Sequence, residues 1–263
     1  MKEKHWQNKH IVITGTSSGI GEAVLKTLSN IECTIFAIDR SPKDHEQKKA
    51  KIVPLLCDIT NDEDVIKVSE EILKVTDTVD VFFNNAGITA HGRFDETEIS
   101  VFRKTFDINF FGGIHLTKLL IEPIKKAKGA IMATSTVSGL YGIPGRAAYS
   151  SSKAALHAVY EAIRIELSEF GVRSIIFCPP YTRTALRTSG LDAKGTKLNE
   201  EQAKGKIKTP EEVASDMIKA VENPNSRLVT IDKSGNFVKW MRLFAPSILE
   251  KVLFKKLYND FHH

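Results

Sequence analysis

At 263 residues and 42% hydrophobic content the chain is long enough for one large α/β domain with a substantial core, and nothing in its composition marks a second domain. The formal charge of +5 and isoelectric point near 8.9 are mildly basic, but the Lys and Arg are scattered and no nucleic-acid-binding motif stands out, so nucleic acid is not an expected partner. Cys33, Cys57 and Cys178 lie far apart inside apolar runs, which suits reduced core thiols rather than a metal site or disulfide framework and favours the cytosol. No apolar run reaches the roughly 18 residues of a membrane helix, and Met1 to Trp6 lacks a secretory apolar segment.

The first element is a short apolar run, Ile11-Val12-Ile13, and Glu22 to Leu28 carries apolar positions at helical spacing. Thr14-Gly15-Thr16-Ser17-Ser18-Gly19-Ile20-Gly21, between them, reads as a tight strand-to-helix turn. Glycine lets a backbone approach a pyrophosphate closely, and the N–H groups and positive dipole end of the helix attract the anion. A tight turn with no ligand is the competing reading. The spacing is not the general G-x-G-x-x-G fingerprint. Its T-G-x-x-x-G-I-G form resembles the classical branch of the short-chain dehydrogenase/reductase family. That resemblance implies a Rossmann-type fold and a nicotinamide dinucleotide held at Gly15, Ser17, Ser18, Gly19, Ile20 and Gly21.

Thr34 to Ile38 is a second strand ending in Asp39, which stands 18 residues beyond Gly21. A carboxylate there accepts hydrogen bonds from the adenosine ribose hydroxyls and repels a 2′-phosphate, which argues for NAD over NADP. The neighbouring Arg40 is the counterweight, since it can pair with a 2′-phosphate. An exposed Asp opening a loop is the bland alternative.

Val53 to Cys57 is a third strand, closed by Asp58-Ile59-Thr60. The resemblance places Asp58 at the adenine edge and Ile59 over the ring. A helix follows, with Asp62 and Glu63 in its first turn and Val65, Ile66, Val68, Ile72 and Leu73 as an apolar stripe. Val79 to Phe83 is the fourth strand, ending in Asn84-Asn85-Ala86-Gly87. Small residues there let the backbone lie close to a cofactor, and asparagine amides can tie strand ends together. This stretch resembles the family's second motif, which puts Asn85, Ala86 and Gly87 at the cofactor. Alternating strands and helices imply a single-domain, doubly wound parallel sheet of about seven strands, with ligands at the strands' carboxyl ends.

Ser100 to Lys126 has helical periodicity interrupted at Gly112-Gly113. Asn109, among Ile108, Phe110 and Phe111, is expected to be buried, and a buried amide left unpaired costs about 1–3 kcal/mol. The resemblance implies that Asn109 binds, through its main chain, a water linked to the catalytic lysine. A satisfied structural Asn is the alternative.

Ala130 to Thr134 is the fifth strand, and Tyr149-Ser150-Ser151-Ser152-Lys153 heads a long helix. Residues i and i+4 share a helix face, so Tyr149 and Lys153 point into one cleft. To take a proton from an alcohol near neutral pH, a tyrosine must drop about three units from about 10, worth about 4 kcal/mol. A lysine ammonium about 4 Å away, at an effective dielectric near 20, contributes that amount. The resemblance makes Tyr149 the acid/base and Lys153 a holder of the nicotinamide ribose. The family's substrate-orienting serine stands thirteen residues before the tyrosine, where this chain has Thr136. Its hydroxyl makes the same bonds with a stiffer rotamer; Ser138 is a possible substitute, and Ser135 is expected to face the opposite side.

Val172 to Cys178 is the sixth strand, followed by Pro179-Pro180 where the family has Pro-Gly. Thr184 falls where a hydroxyl would meet the nicotinamide carboxamide. The polar stretch from about 185 to 208 is expected to be a lid over substrate. A helix opens at Pro210, and Leu228 to Ile231 is the seventh strand, so the resembling core runs from about 9 to 231. From about 237 to 261 the chain is a basic amphipathic tail of two helical pieces divided by Pro246. It lies either on an anionic membrane surface or over the cleft or a neighbouring subunit.

These residues together predict a cytoplasmic NAD(P)-dependent oxidoreductase, a homodimer or homotetramer, with peripheral membrane contact through the tail as one of its two readings. It would interconvert an alcohol and a carbonyl on a hydrophobic substrate. A non-catalytic dinucleotide-binding sensor or scaffold is the alternative.

Overall fold

The apolar runs of the sequence become seven parallel strands: β1 (His10–Thr14), β2 (Thr34–Asp39), β3 (Lys51–Leu56), β4 (Val81–Asn84), β5 (Ala130–Thr134), β6 (Arg173–Cys178) and β7 (Leu228–Thr230). The computed structural model describes residues 1–184, 190–198, 207–231 and 233–257. Strand order across the sheet is β3-β2-β1-β4-β5-β6-β7. The order reverses between β1 and β4, which opens a crevice at their carboxyl ends. The expected single-domain, doubly wound Rossmann-type sheet is therefore observed.

The strands are apolar at nearly every position because both faces are covered. Side chains alternate, so Ile11 and Ile13 enter one core while Val12 enters the other, and Phe83 and Phe82 divide in the same way. The first core packs against α2 (Gly19–Leu28) and α8 (Pro210–Glu222). It also holds Trp6, from α1 (Glu3–Trp6), whose indole N–H donates to Glu222 at 2.9 Å. The second core packs under α3 (Asp62–Val75), α5 (Gly112–Leu119), α6 (Ile121–Ala127) and α7 (Ala147–Glu166).

Two helix starts are set by local chemistry. The Asn61 side chain accepts from the N–H groups of Glu63 and Asp64 at the head of α3, and Thr209 and Glu212 form a reciprocal capping box on α8. The interrupted segment resolves into α4 (Ile99–Phe106), a π-helical turn over Asp107–Phe111, and α5. The long helix α7 begins at Ala147, so Tyr149 lies inside its first turn.

At the outer edge, β3 pairs with β2 through Lys51 and Cys57, whose N–H groups donate to Cys33 and Asp39. The side-chain amide of Gln47 caps Ile52 from outside, taking its N–H at 3.1 Å and donating to its carbonyl at 3.3 Å.

The tail forms α9 (Lys233–Phe244) and α10 (Pro246–Leu257), split at Pro246 as the sequence indicates. Val238 and Leu249 bury against Leu140 in the loop that leaves β5, and Tyr141 donates its hydroxyl to Glu250 at 2.9 Å. Of the stretch expected to form a lid, residues 190–198 make a small hairpin on the chain after β4. Leu191 exchanges hydrogen bonds with Thr89 and His91, and Gly195 at φ +79° sits over Val101. Residues 185–189 and 199–206, and the tail from 258 onward, lie outside the described residues.

Candidate active site

The crevice is a cavity of about 400 Å³. Its floor is the turn after β1. Gly15 and Gly19 have φ of +74° and +61°, in the region that favours glycine. Gly21 is required by contact, because a Cβ there would lie 2.1 Å from the Gly15 carbonyl oxygen. No side chain caps the start of α2, so the N–H groups of Gly19 and Ile20 open onto the cavity without intrahelical acceptors. Ser17 and Ser18 complete this side of the wall. Gly21 packs behind the turn and does not line the space.

Asp39, at the tip of β2, takes the Ser17 N–H on one carboxylate oxygen and the Ser41 N–H on the other, each at 3.0 Å. The carboxylate thus fixes the glycine turn to the exit of β2. Arg40, Asp58 and Ile59 lie on the same rim. Asp58 accepts from both the N–H and the hydroxyl of Thr60, which holds its carboxyl below the usual carboxylate range, and Arg40 adds to the effect.

The end of β4 is tied as its amides suggested. Asn85 donates to the Thr14 carbonyl at 3.1 Å and accepts from the Thr134 hydroxyl at 3.1 Å, joining β1, β4 and β5. The N–H groups of Asn85 and Ala86 both donate to the Thr14 hydroxyl. Gly87 is held small by what lies beyond it: a Cβ there would sit 2.9 Å from Asn109 Oδ1 and 3.4 Å from Lys153 Nζ.

Asn109 is buried, and its amide is fully engaged. It brackets Ile88 by accepting from its N–H and donating to its carbonyl, and it donates to the Ser152 hydroxyl at 3.0 Å. The side chain is therefore a strut between the end of β4 and α7. The main chain around it is the π-helical turn, where the widened ladder is a common mark of functional sites.

Tyr149 and Lys153 both line the cavity from one face of α7. Burial pushes the Tyr149 hydroxyl up to about 12. Lys153 Nζ donates to the Thr134 carbonyl at 2.8 Å, and burial brings its ammonium down to about 8.

Thr136 stands at the β5 exit, where its hydroxyl accepts from the Ser138 N–H and the Ser138 hydroxyl, both at 3.3 Å, and keeps its own proton to donate. Ser135, expected to face away, contributes to the cavity wall, and its hydroxyl meets His157 Nε2 at 2.7 Å. His157 is buried and pushed down to about 4, hence neutral. Sequence reading missed it, although it stands four residues beyond Lys153 on the same helix face. Thr184 closes the cavity against Gly19, with its methyl 3.2 Å from where a Cβ of that glycine would lie. Ile88, Ile108 and Pro179 add an apolar border that no motif announced.

Comparison with known proteins agrees with this geometry. The sequence pattern of the family described as short chain dehydrogenase matches residues 9–194. A Xenopus tropicalis protein named dehydrogenase/reductase SDR family member 7B is 32% identical over 259 residues, covering 92% of this chain and 83% of the relative. A Drosophila melanogaster protein named dehydrogenase/reductase SDR family protein 7-like is 27% identical, covering 94% and 80%. Among solved structures, a short-chain dehydrogenase from Streptomyces avermitilis superposes with a TM-score of 0.79 at 24% identity, over 96% of this chain and 98% of the other. One from Burkholderia cenocepacia, solved with NADP, gives 0.79 at 20% identity over 94% and 98%. One from Burkholderia phymatum, solved with NAD, gives 0.70 at 21% over 87% and 90%.

Proposed function

The chain belongs to the short-chain dehydrogenase family, and from that premise we propose that it interconverts an alcohol and a carbonyl compound, with Tyr149 exchanging the proton. The observation that carries this reading is the meeting of Tyr149, Lys153, Gly87 and the open start of α2 around one cavity. The residues present fit a dinucleotide. Uncapped N–H groups suit a pyrophosphate, Asp39 suits ribose hydroxyls, and the glycine contacts leave room where side chains would stand. A bound nicotinamide dinucleotide supplies the hydride acceptor or donor.

The chain's own residues do the rest. With its hydroxyl pushed to about 12, Tyr149 is a protonated donor throughout the neutral range, ready to give its proton to a developing alkoxide. In the opposite direction it must lose that proton, and the Lys153 ammonium on the same helix face is the lever that favours the phenolate. Lys153, which donates to the Thr134 carbonyl, can exchange that partner for a ribose hydroxyl. Asn85 and the Thr14 hydroxyl keep the strand ends fixed while this happens.

We further propose NAD as the preferred dinucleotide, because the anchored carboxylate of Asp39 repels a 2′-phosphate. Arg40 stands where it acts on Asp58. The substrate is hydrophobic, in keeping with the apolar border of Ile88, Ile108 and Pro179. Binding without turnover is the second reading, favoured by Thr136, which stands where the family has serine and accepts two hydrogen bonds from Ser138. One experiment separates the two. Each reduced dinucleotide is titrated by fluorescence, and turnover is measured on a panel of aldehydes and ketones for the native protein and Tyr149→Phe. The expected result is tighter binding of NADH than NADPH, and loss of about 10²–10⁴ in rate in the variant with cofactor affinity unchanged. Near-normal turnover of Tyr149→Phe would sink the mechanism, and dinucleotide binding with no turnover on any carbonyl would favour the second reading.

A further inference from the structure

The two tail helices are apolar on both sides. Their inner side, through Val238, Leu249 and Leu253, is consumed against the loop after β5. On the outer side, Phe237, Trp240 and Phe244 follow one another at helical spacing on α9, and Ile248 and Val252 continue the stripe on α10. Trp240 and Phe244 are 59% and 75% exposed, and their rings stack on each other at 5.7 Å rather than on the core. A contiguous patch of such residues is rare on a surface that stays in water.

The charge around this stripe is one-sided. Lys239, Lys251 and Lys255 stand among these residues, Arg242 lies on the inner side where its charge acts on Tyr141 and His157, and the single acidic residue between 233 and 257, Glu250, accepts the Tyr141 hydroxyl. No described helix is long and apolar enough to cross a bilayer. A second copy of the chain docked here about a two-fold axis would bring these cations against their own equivalents. An anionic bilayer meets both requirements in one plane, with acyl chains for the rings and phosphate and carboxylate headgroups for the cations.

We propose that the outer face of α9 and α10 is a docking surface for anionic phospholipid membranes. The inner face of the same helix pair grips Leu140 and Tyr141, in the loop that carries Thr136 and Ser138. Docking therefore sets the β5 exit near the lipid surface. The inference goes beyond the redox chemistry and is tested without it.

The chain contains two tryptophans, of which Trp6 is 0% exposed and Trp240 is 59% exposed. Intrinsic emission of the full protein, mixed with phosphatidylcholine vesicles containing or lacking about one phosphatidylserine in four, reports Trp240 against a silent Trp6. The expected result is a blue shift and co-sedimentation with the serine-lipid vesicles only. Lys251→Gln or Lys255→Gln should weaken partitioning about fivefold each, since one cation near such a surface is worth about 1 kcal/mol. Phe244→Ser should abolish it. These side chains are exposed, so cofactor titration and thermal melting should match the native protein, which keeps a loss of binding from being a loss of fold. Equal binding to both vesicle types, or none to either, overturns the proposal. So does a concentration-dependent mass by light scattering, without lipid, that Phe244→Ser reduces to a monomer, because the face is then covered by a second copy.

Discussion

Lys153 carries a cost that the sequence does not reveal. A lysine heading a helix reads as a cation, yet its amine is buried on a carbonyl and brought from 10.5 down to about 8. The sign of the consequence follows from the lowered value. Below about pH 8 the ammonium is present to donate to a cofactor hydroxyl, and above it the neutral amine donates less strongly. Dinucleotide affinity should therefore be highest at pH 7 or below and fall by about tenfold as the pH rises through 8 towards 9.5, a charged hydrogen bond being worth about 1.5–3 kcal/mol. Isothermal titration across that range checks it. A flat profile in the native protein, or the same slope in Lys153→Met, would show that another group is responsible.

At the scale of the element, the turn between β1 and α2 is packed too closely for any side chain at Gly21. Gly21→Ala would push a methyl to 2.1 Å from the Gly15 oxygen and 2.7 Å from Asn85 Nδ2, so both the turn and the tie to β4 must shift. We expect a loss of about 1–3 kcal/mol in stability and of most dinucleotide affinity. Gly142→Ala, where nothing lies within 4 Å, should change stability by less than about 0.5 kcal/mol. Thermal unfolding and cofactor titration of the pair test this, and equal effects at both positions would refute it. The turn was legible in the sequence because a ligand-sized gap needs small residues at fixed spacing, and the Tyr149–Lys153 pair because helix geometry alone puts i and i+4 on one face. What stayed hidden depended on partners distant in sequence. Nothing around Asn109 names Ile88 and Ser152 as the groups that engage its amide, and nothing near Ser135 names His157. Thr136 was assigned by counting back from Tyr149, but counting cannot show that Ser138 takes its hydroxyl.

For the whole molecule, seven parallel strands were readable from buried apolar runs, with ends shifted by one or two residues, as at β3, read from Val53 and observed from Lys51. The strand order was not read from the runs themselves. It follows from packing both faces under helices, and it leaves β3 and β7 at the borders. A bordering strand is a template on which a foreign strand can add and start a fibril. Here Lys51 and Cys57 spend their N–H groups on β2, so Ile52, Pro54 and Leu56 look outward. Ile52 is blocked by the Gln47 amide, and Pro54 has no proton to give. At the other border β7 is only three residues long. Replacing both guards, Gln47→Ala with Pro54→Val, should leave the fold and the cavity intact while seeded or agitated samples gain thioflavin-positive aggregate well ahead of the native protein; identical lag times would show that the border was never the vulnerable place. The margins of the sheet thus offer a foreign strand little backbone to pair with, through one side-chain amide and one proline on β3 and the shortness of β7.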